Sequence, residues 1–470
     1  MDKHGAERFE TFVDALADVI GHADRVRPLT DYCMGLLAPA VRKSVEPLAV
    51  VTAPSRVSAQ HQSLLHFVSQ SPWSDAKMLA KVLELTLPAI TASEPIEAWI
   101  IDDTSFPKKG KHSVGVTRQY CGQLGKQDNC QVAVSLSIAN TSASLPIAYG
   151  LYVPKDWAAD PARRTKAGVP EEVTFRTKPE IALEQIRAAI EAGVPPGVVL
   201  MDAGYGADTD LREAITTLGL PYVAGVQPHT SVWTRTNPPP PVRPWSGRGR
   251  PTSRMVRGPD HQPQAAEDLA RSLPAGAWET ITWREGGTGA LSSRFARVRV
   301  RAAHRDVDRS VPRDEEWLLV EWPPEEDTPT KFWLATVPAS IGFDRLVGLA
   351  KLRWRIERDY QDLKQELGLG HFEGRGWRGF HHHATLCIAA YAFLVAERAR
   401  LPPSEPAKLL ETSPLPGGSP RRSPAHPTRA AHRELDRHHA PRPDRRPRST
   451  ARAMSMLHGT DASSAPFVTQ

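Results

Sequence analysis

From about residue 97 the chain changes its hydrophobic rhythm, and this change restricts the fold more than any other feature. AWIID (98–102) is a short apolar strand, and SVGVTRQY (113–120) and QVAVSLSIAN (131–140) alternate with the period of two expected of strands. LPIAYGLYVP (145–154) is a further strand candidate. The rhythm then becomes helix, strand, helix, strand. TKPEIALEQIRAAIEAG (177–193) is a helix with Gly193 as its stop signal, and VVLMDAGYG (198–206) is a buried-type strand ending in Asp202. ADTDLREAITTLGL (207–220) and PYVAGV (221–226) complete the series. Strands followed by alternating helices and strands predict an α/β fold, a mixed sheet with helices on its faces.

The flanks have other characters. In residues 1–95 the spacing of Phe9, Phe12, Val13, Leu16, Val19 and Ile20 gives one face of an amphipathic helix, and a second apolar pattern over Tyr32–Leu37 runs into the basic pair Arg42-Lys43. This stretch reads as a helical N-terminal domain that docks on DNA phosphates or, equally well, as a helical subdomain with solvated charges. Residues 96–227 form the first part of the α/β core. Residues 228–340 contain a Pro/Gly/Arg-rich loop (236–251) and strand candidates around Trp283, Phe295–Val300, Trp317–Glu321 and Phe332–Ala335, a β-rich insertion in the core. The core resumes in helices at 341–400. Beyond 401 the composition collapses into Pro, Arg, His and Ser, and this tail (401–470) is expected to be disordered.

A net charge of +6 over 470 residues leans toward polyanionic partners without singling out nucleic acid. Cys33, Cys121, Cys130 and Cys387 lack CxxC spacing, which argues against a zinc ribbon or a disulfide framework and suits a reducing cytoplasm. The longest apolar run, Leu386–Ala396, is too short to cross a bilayer, and the N-terminus has no apolar segment of signal-peptide type.

Three acidic positions stand out. Asp103, beside Asp102, ends the strand at 98–102, and Asp202 ends the strand at 198–201; strand ends of such a sheet form the crevice where ligands bind. Glu357 lies in FDRLVGLAKLRWRIERDYQDLKQELGLG, read as one long helix with the seam Leu346, Leu349, Leu352, Ile356, Leu363 and Leu367 and with Tyr360 filling the gap. Arg353, Glu357 and Lys364 share a stripe at the edge of that buried face, where a side chain is held and still reaches a cleft. Carboxylates from separate elements suit hard divalent cations, and two such ions ~4 Å apart activate an attacking oxygen and stabilise a leaving one. Each position also has a plainer reading. Acids at strand ends are common turn and cap residues, and an Arg353/Glu357 pair on a surface is worth only about 0.3 kcal/mol. Lys108, Lys109 and Lys111 are by default a solvated loop. His381, His382 and His383 invite a metal, yet three consecutive helical residues point in three directions.

IIDDTSFPKKGKHSVGVTRQYCG, LMDAGYG and LRWRIERDYQDLKQELGLGHFEGR, in that order and with a β-rich stretch between the last two, resemble the catalytic blocks of bacterial DDE transposases of the IS4/IS701 insertion-sequence group. RKSVEPLA (42–49) and SQSPW (69–73) extend the resemblance to roughly 30–400. It implies an RNase H-like core with a DDE triad holding two Mg²⁺ or Mn²⁺ ions. In the first block the family's aspartate precedes Thr, which selects Asp103, since neighbouring strand residues face opposite ways. Asp202 and Glu357 complete the triad. Arg353 and Lys364 match the family's Arg and Lys, while its tyrosine position is Ala350 here. The resemblance implies that Arg353 and Lys364, with Lys108 and Lys109 near the first block, contact DNA. In the group it resembles, the inserted β domain helps hold the transposon end, sometimes with a tryptophan stacked on a flipped base; Trp283, Trp317, Trp322 and Trp333 are available for that here, against the plainer reading of core tryptophans. The implied activity is cleavage and strand transfer of double-stranded DNA at terminal inverted repeats into a target, by a homodimer in the bacterial cytoplasm beside the nucleoid. The alternatives are a catalytically inactive or truncated DNA-binding derivative and a non-transposing RNase H-like nuclease.

Overall fold

The computed structural model describes residues 3–241, 248, 255–286, 289–306 and 309–400. The expected disordered tail at 401–470, and most of the Pro/Gly/Arg-rich loop, lie outside the described residues. Five helices open the chain: α1 (Lys3–Ala17), α2 (Val26–Leu37), α3 (Val45–Thr52), α4 (Val57–Ser69) and α5 (Asp75–Ile90). Their apolar faces do not close on themselves. Phe9 meets Phe393 edge-on at 5.3 Å, and Tyr32 reaches His383 at 2.9 Å, both partners lying on the last described helix, α14 (Trp377–Arg400). Lys43 is buried and donates to the Leu36 carbonyl at 2.8 Å, closing the end of α2, while Arg42 pairs with Glu373.

The sheet begins with β1 (Ala98–Pro107), β2 (Thr117–Cys121), β3 (Lys126–Ala139) and β4 (Ser144–Leu151). Two short helices follow, α6 (Lys155–Ala158) and α7 (Pro161–Ala167). Next is α8 (Lys178–Glu191), opened by a reciprocal cap between Thr177 and Glu180 and stopped by Gly193 at φ +70°, a left-handed conformation that glycine adopts without strain. Then come β5 (Val198–Met201), α9 (Ala203–Gly206), α10 (Thr209–Thr217) and β6 (Tyr222–Val226). β1, β5 and β6 run parallel, and β3 is antiparallel to β1, giving the mixed sheet that the rhythm of the sequence predicts.

The stretch expected as an insertion supplies β7 (Ser231–Thr234), β8 (Gln264–Ala265), α11 (Ala266–Ser272), β9 (Trp278–Gly286), β10 (Gly289–Ala302), β11 (Glu316–Glu321) and β12 (Lys331–Ala335). These strands do not form a separate layer. β12 pairs antiparallel with β6, so the sheet runs β2-β3-β1-β5-β6-β12-β11-β10-β7-β8 as one hydrogen-bonded array of twelve strands, with β4 on β3 and β9 on β10.

The helix expected as continuous from Phe343 is broken at Arg353 into α12 (Phe343–Leu352) and α13 (Trp354–Gln365). Its seam nevertheless holds: Leu346, Leu349, Leu352, Ile356, Tyr360, Leu363 and Leu367 are all buried. All four cysteines are buried free thiols. No helix among the described residues is long and apolar enough to cross a membrane.

Candidate active site

The crevice arises because β1 and β5 stop pairing early. Their parallel ladder covers only Ala98–Ile100 against Val198–Leu200, and both chains then run on into acidic residues. Asp202 leaves β5 as the N-cap of α9, its Oδ1 accepting from the backbone N–H groups of Gly204 (2.9 Å) and Tyr205 (3.2 Å). This turn is pressed against β6. A Cβ on Gly225 would come within 2.8 Å of the Ala203 nitrogen and 3.0 Å of the Asp202 carbonyl carbon, so only glycine lets β6 lie that close.

Asp102 and Asp103 point to opposite faces of β1, as strand alternation requires. Asp102 lies opposite Ser135, whose Oγ touches the Tyr360 hydroxyl on α13, and it accepts from Arg353 Nη1 at 2.7 Å. The other guanidinium nitrogen of Arg353 donates to Glu357 Oε1 at 2.6 Å. Asp103 instead takes Lys178 Nζ, from the start of α8, at 2.7 Å and the Tyr205 hydroxyl at 3.4 Å. The expected set Asp103, Asp202 and Glu357 is therefore not what one face of the sheet brings together. Asp102 is the β1 acid on the side of Arg353 and Glu357.

Burial, chiefly, and the negative charges of Asp202 and Asp103 push the Asp102 carboxyl up to about 7, against the pull of Arg353. Burial works against the Arg353 cation, but Asp102, Glu357 and Asp202 outweigh it and hold the guanidinium above its ordinary range. A cavity of about 380 Å³ opens beside these groups, lined by Asp202, Gln227, Trp333, Lys351, Arg353, Trp354 and Glu357 among others.

The expected DNA contacts differ in how free they are. Lys364 donates to the Ser105 carbonyl at 3.0 Å and lies over the Phe106 ring, and burial pushes its ammonium down to about 8. Lys108 donates to the Phe372 carbonyl at 3.2 Å, whereas Lys109 is exposed. Of the four tryptophans, Trp333 lines the cavity; Trp283 lies under Lys351, Trp317 between Arg297 and Arg299, and Trp322 beside Arg294. The three histidines part company. His382 stacks on Trp73 at 3.5 Å and sits between the carbonyls of Val68 and Trp73, while His383 sits between Tyr32 and the Gly368 carbonyl. His381 accepts from the Leu151 N–H at 3.3 Å.

Sequence reasoning missed Lys178 and Tyr205 as neighbours of the acids, and the facing of Asp102. The only local signal was the reciprocal Thr177/Glu180 cap pattern, which fixes the start of α8 and so where Lys178 stands.

The donor set suits a hard divalent cation: it is all carboxylate oxygen, and a cation already stands between two of its members in the form of Arg353. Among the described residues no three Asp, Glu, His or Cys side chains converge tightly enough to hold an ion as they stand. Glu357, 60% exposed and turned to Arg353, has the freedom to move.

Comparison with known proteins agrees with this chemistry. Residues 15–290 match the family described as DDE superfamily endonuclease, a stretch that includes Asp102, Asp103 and Asp202 and ends before Glu357. The chain is 31% identical over 195 residues to a probable transposase for insertion sequence element IS701 from Microchaete diplosiphon. That match spans 41% of this chain and 47%, about half, of the relative's length.

Proposed function

Given a chain that belongs to the DDE superfamily endonucleases, we propose that it is an insertion-sequence transposase, cutting double-stranded DNA at terminal inverted repeats and joining the freed 3′ end to a target. The observation that carries this reading is one guanidinium, Arg353, bonded to Asp102 of β1 and Glu357 of α13 and within electrostatic reach of Asp202 at the end of β5. The likeness to an IS701 transposase supports strand transfer beyond simple hydrolysis. In this reading the β2-β3-β1-β5-β6 portion of the sheet is an RNase H-like core, with the helices of 3–90 as a DNA-binding unit and two copies pairing the two transposon ends.

We take Asp102, Asp202 and Glu357 as the ligands of the metal, with Asp103 as the member of the pair turned to Lys178 and Tyr205. Bound Mg²⁺ or Mn²⁺ supplies activation of the attacking oxygen and stabilisation of the leaving one. The chain's own groups do the rest. The Gly204 and Tyr205 amides fix the Asp202 carboxylate at the crevice mouth. Lys178 neutralises Asp103, so that three adjacent acids do not all repel an incoming phosphodiester. Arg353 and Lys364 place cationic donors on either side of Glu357, where backbone phosphates pass.

The test is cleavage of a duplex carrying the element's ends, with Mg²⁺ or Mn²⁺. End-specific nicking and strand transfer support the reading, and cutting without regard to the ends points to a plain nuclease. Full activity in Asp202→Asn removes the carboxylate assignment. Full activity in Asp102→Asn, with loss in Asp103→Asn, restores Asp103 as the ligand.

A further inference from the structure

Arg353 is placed to do more than touch DNA. It stands at the break between α12 and α13, three-quarters buried, and its two terminal nitrogens reach two different carboxylates: Asp102 at 2.7 Å and Glu357 at 2.6 Å. Resting on the metal reading above, we propose that Arg353 is a resident counter-cation that occupies the carboxylates in the DNA-free protein and yields them when its fork is drawn onto a DNA phosphate. Metal uptake is thereby coupled to substrate.

The geometry gives this latch a firm end and a loose end. Asp102 is buried more deeply than Arg353, so leaving it without a cation is costly, and it gives up the guanidinium only as a metal takes that place. Glu357 is exposed and bound to Arg353 as an i,i+4 pair, a weak arrangement on a helix surface. The loose end is the side facing the cavity, where a phosphate would arrive. Guanidinium matches phosphate as well as it matches carboxylate, in the same two-pronged fashion, so the exchange replaces one strong partner by another. A cation arriving without DNA must instead displace Arg353 and leave it with no anion. The neighbouring acid shows the same pattern in a fixed form, because Asp103 is neutralised by Lys178 on the opposite face of β1.

Linkage gives the test. If DNA favours metal binding through Arg353, metal must favour DNA by the same factor, and both effects vanish with the side chain. The measurement is Mn²⁺ binding to the full chain by calorimetry, slightly above neutral pH, with and without a blunt DNA duplex. In the wild type the duplex is expected to tighten Mn²⁺ about tenfold. R353Q is expected to bind Mn²⁺ about tenfold tighter than wild type without DNA, and to gain little from the duplex. R353K, which keeps the charge and loses the fork, falls between them. Mn²⁺ binding in R353Q equal to or weaker than wild type, with its melting temperature unchanged, overturns the proposal, as does coupling to DNA of undiminished size. Absence of Mn²⁺ binding in every variant defeats the carboxylate reading itself, and the proposal with it.

Discussion

Around α14 and around the place where β1 and β5 part the chain buries the same kinds of polar side chain and settles them differently. Asp103, expected at the end of its strand, lies in the middle of β1, which runs on to Pro107 against β3. Under α14, His381, His382 and His383 each find partners in their own surroundings, and Asp359 accepts from Ser144 (2.6 Å) and Tyr391 (2.8 Å) on Oδ1, with only its Oδ2 left without a hydrogen bond. Where β1 and β5 part, Asp102, Asp202 and Glu357 lie within electrostatic reach of one arginine, which bonds to two of them. Internal satisfaction marks polar residues that shape a core. Shared partners at the rim of a cavity mark residues kept for something that comes from outside. The histidine triplet, whose three rings the sequence sends in three directions, takes its partners from the core around it.

Several experiments break or sharpen this contrast, taken from the largest expected effect to the smallest. Asp202→Asn should lower DNA cleavage by about a thousandfold or more while leaving the melting temperature unchanged, since an Asn still accepts from the Gly204 and Tyr205 amides. A variant that instead unfolds would make the strand-end acids structural, like those under α14. His383→Ala should do the opposite. Loss of the ring leaves a cavity and an unpaired Tyr32 hydroxyl, costing about 2–4 kcal/mol in denaturant unfolding at unchanged cleavage per folded molecule. Loss of activity at unchanged stability would return the triplet to function.

Acid should find the α14 region next. Burial holds His382 and His383 down to about 4, below the ordinary value of 6.5, so both rings are neutral near pH 7, and His382 then donates to only one of its two carbonyls. For a base held low, the stability contribution is complete above pH 6.5 and is lost as pH falls through 4, because the unfolded chain takes up the protons first. At pH 5 the expected cost is roughly 2 kcal/mol per ring, read as a drop in urea midpoint from pH 7. Asp359 runs the other way and more weakly. Burial pushes its carboxyl from 3.8 to about 6, so it favours the fold most below pH 3.8 and loses that contribution as pH rises through 6. Asp359→Asn should therefore stay within about 1 kcal/mol of wild type above pH 7 and fall behind it at pH 5. A constant difference across that range would show that Asp359 does not titrate with folding.

Much of this arrangement was legible in the sequence. Alternation located β1 and β3, the buried-type run located β5 with Asp202 at its end, and the leucine seam of α12 and α13 is buried residue for residue. What was not legible depends on long-range contacts. Alternation says that Asp102 and Asp103 face apart, but which one meets Glu357 depends on α13 lying over one face and α8 over the other. The break at Arg353 has no proline or glycine to announce it. The strands of 278–335 were visible as strands, whereas their joining to β6 through β12 depends on a pairing between residues more than a hundred positions apart.

That joining has a mechanical side. A ladder that runs unbroken from β2 to β8 has no hinge line across it, because sliding or folding one part against another would break backbone hydrogen bonds between neighbouring strands. The plate is stiff in its own plane and is twisted like any sheet of its kind. If, as proposed, the chain acts on a duplex, the fit has to be made by side chains, by loops and by the duplex itself.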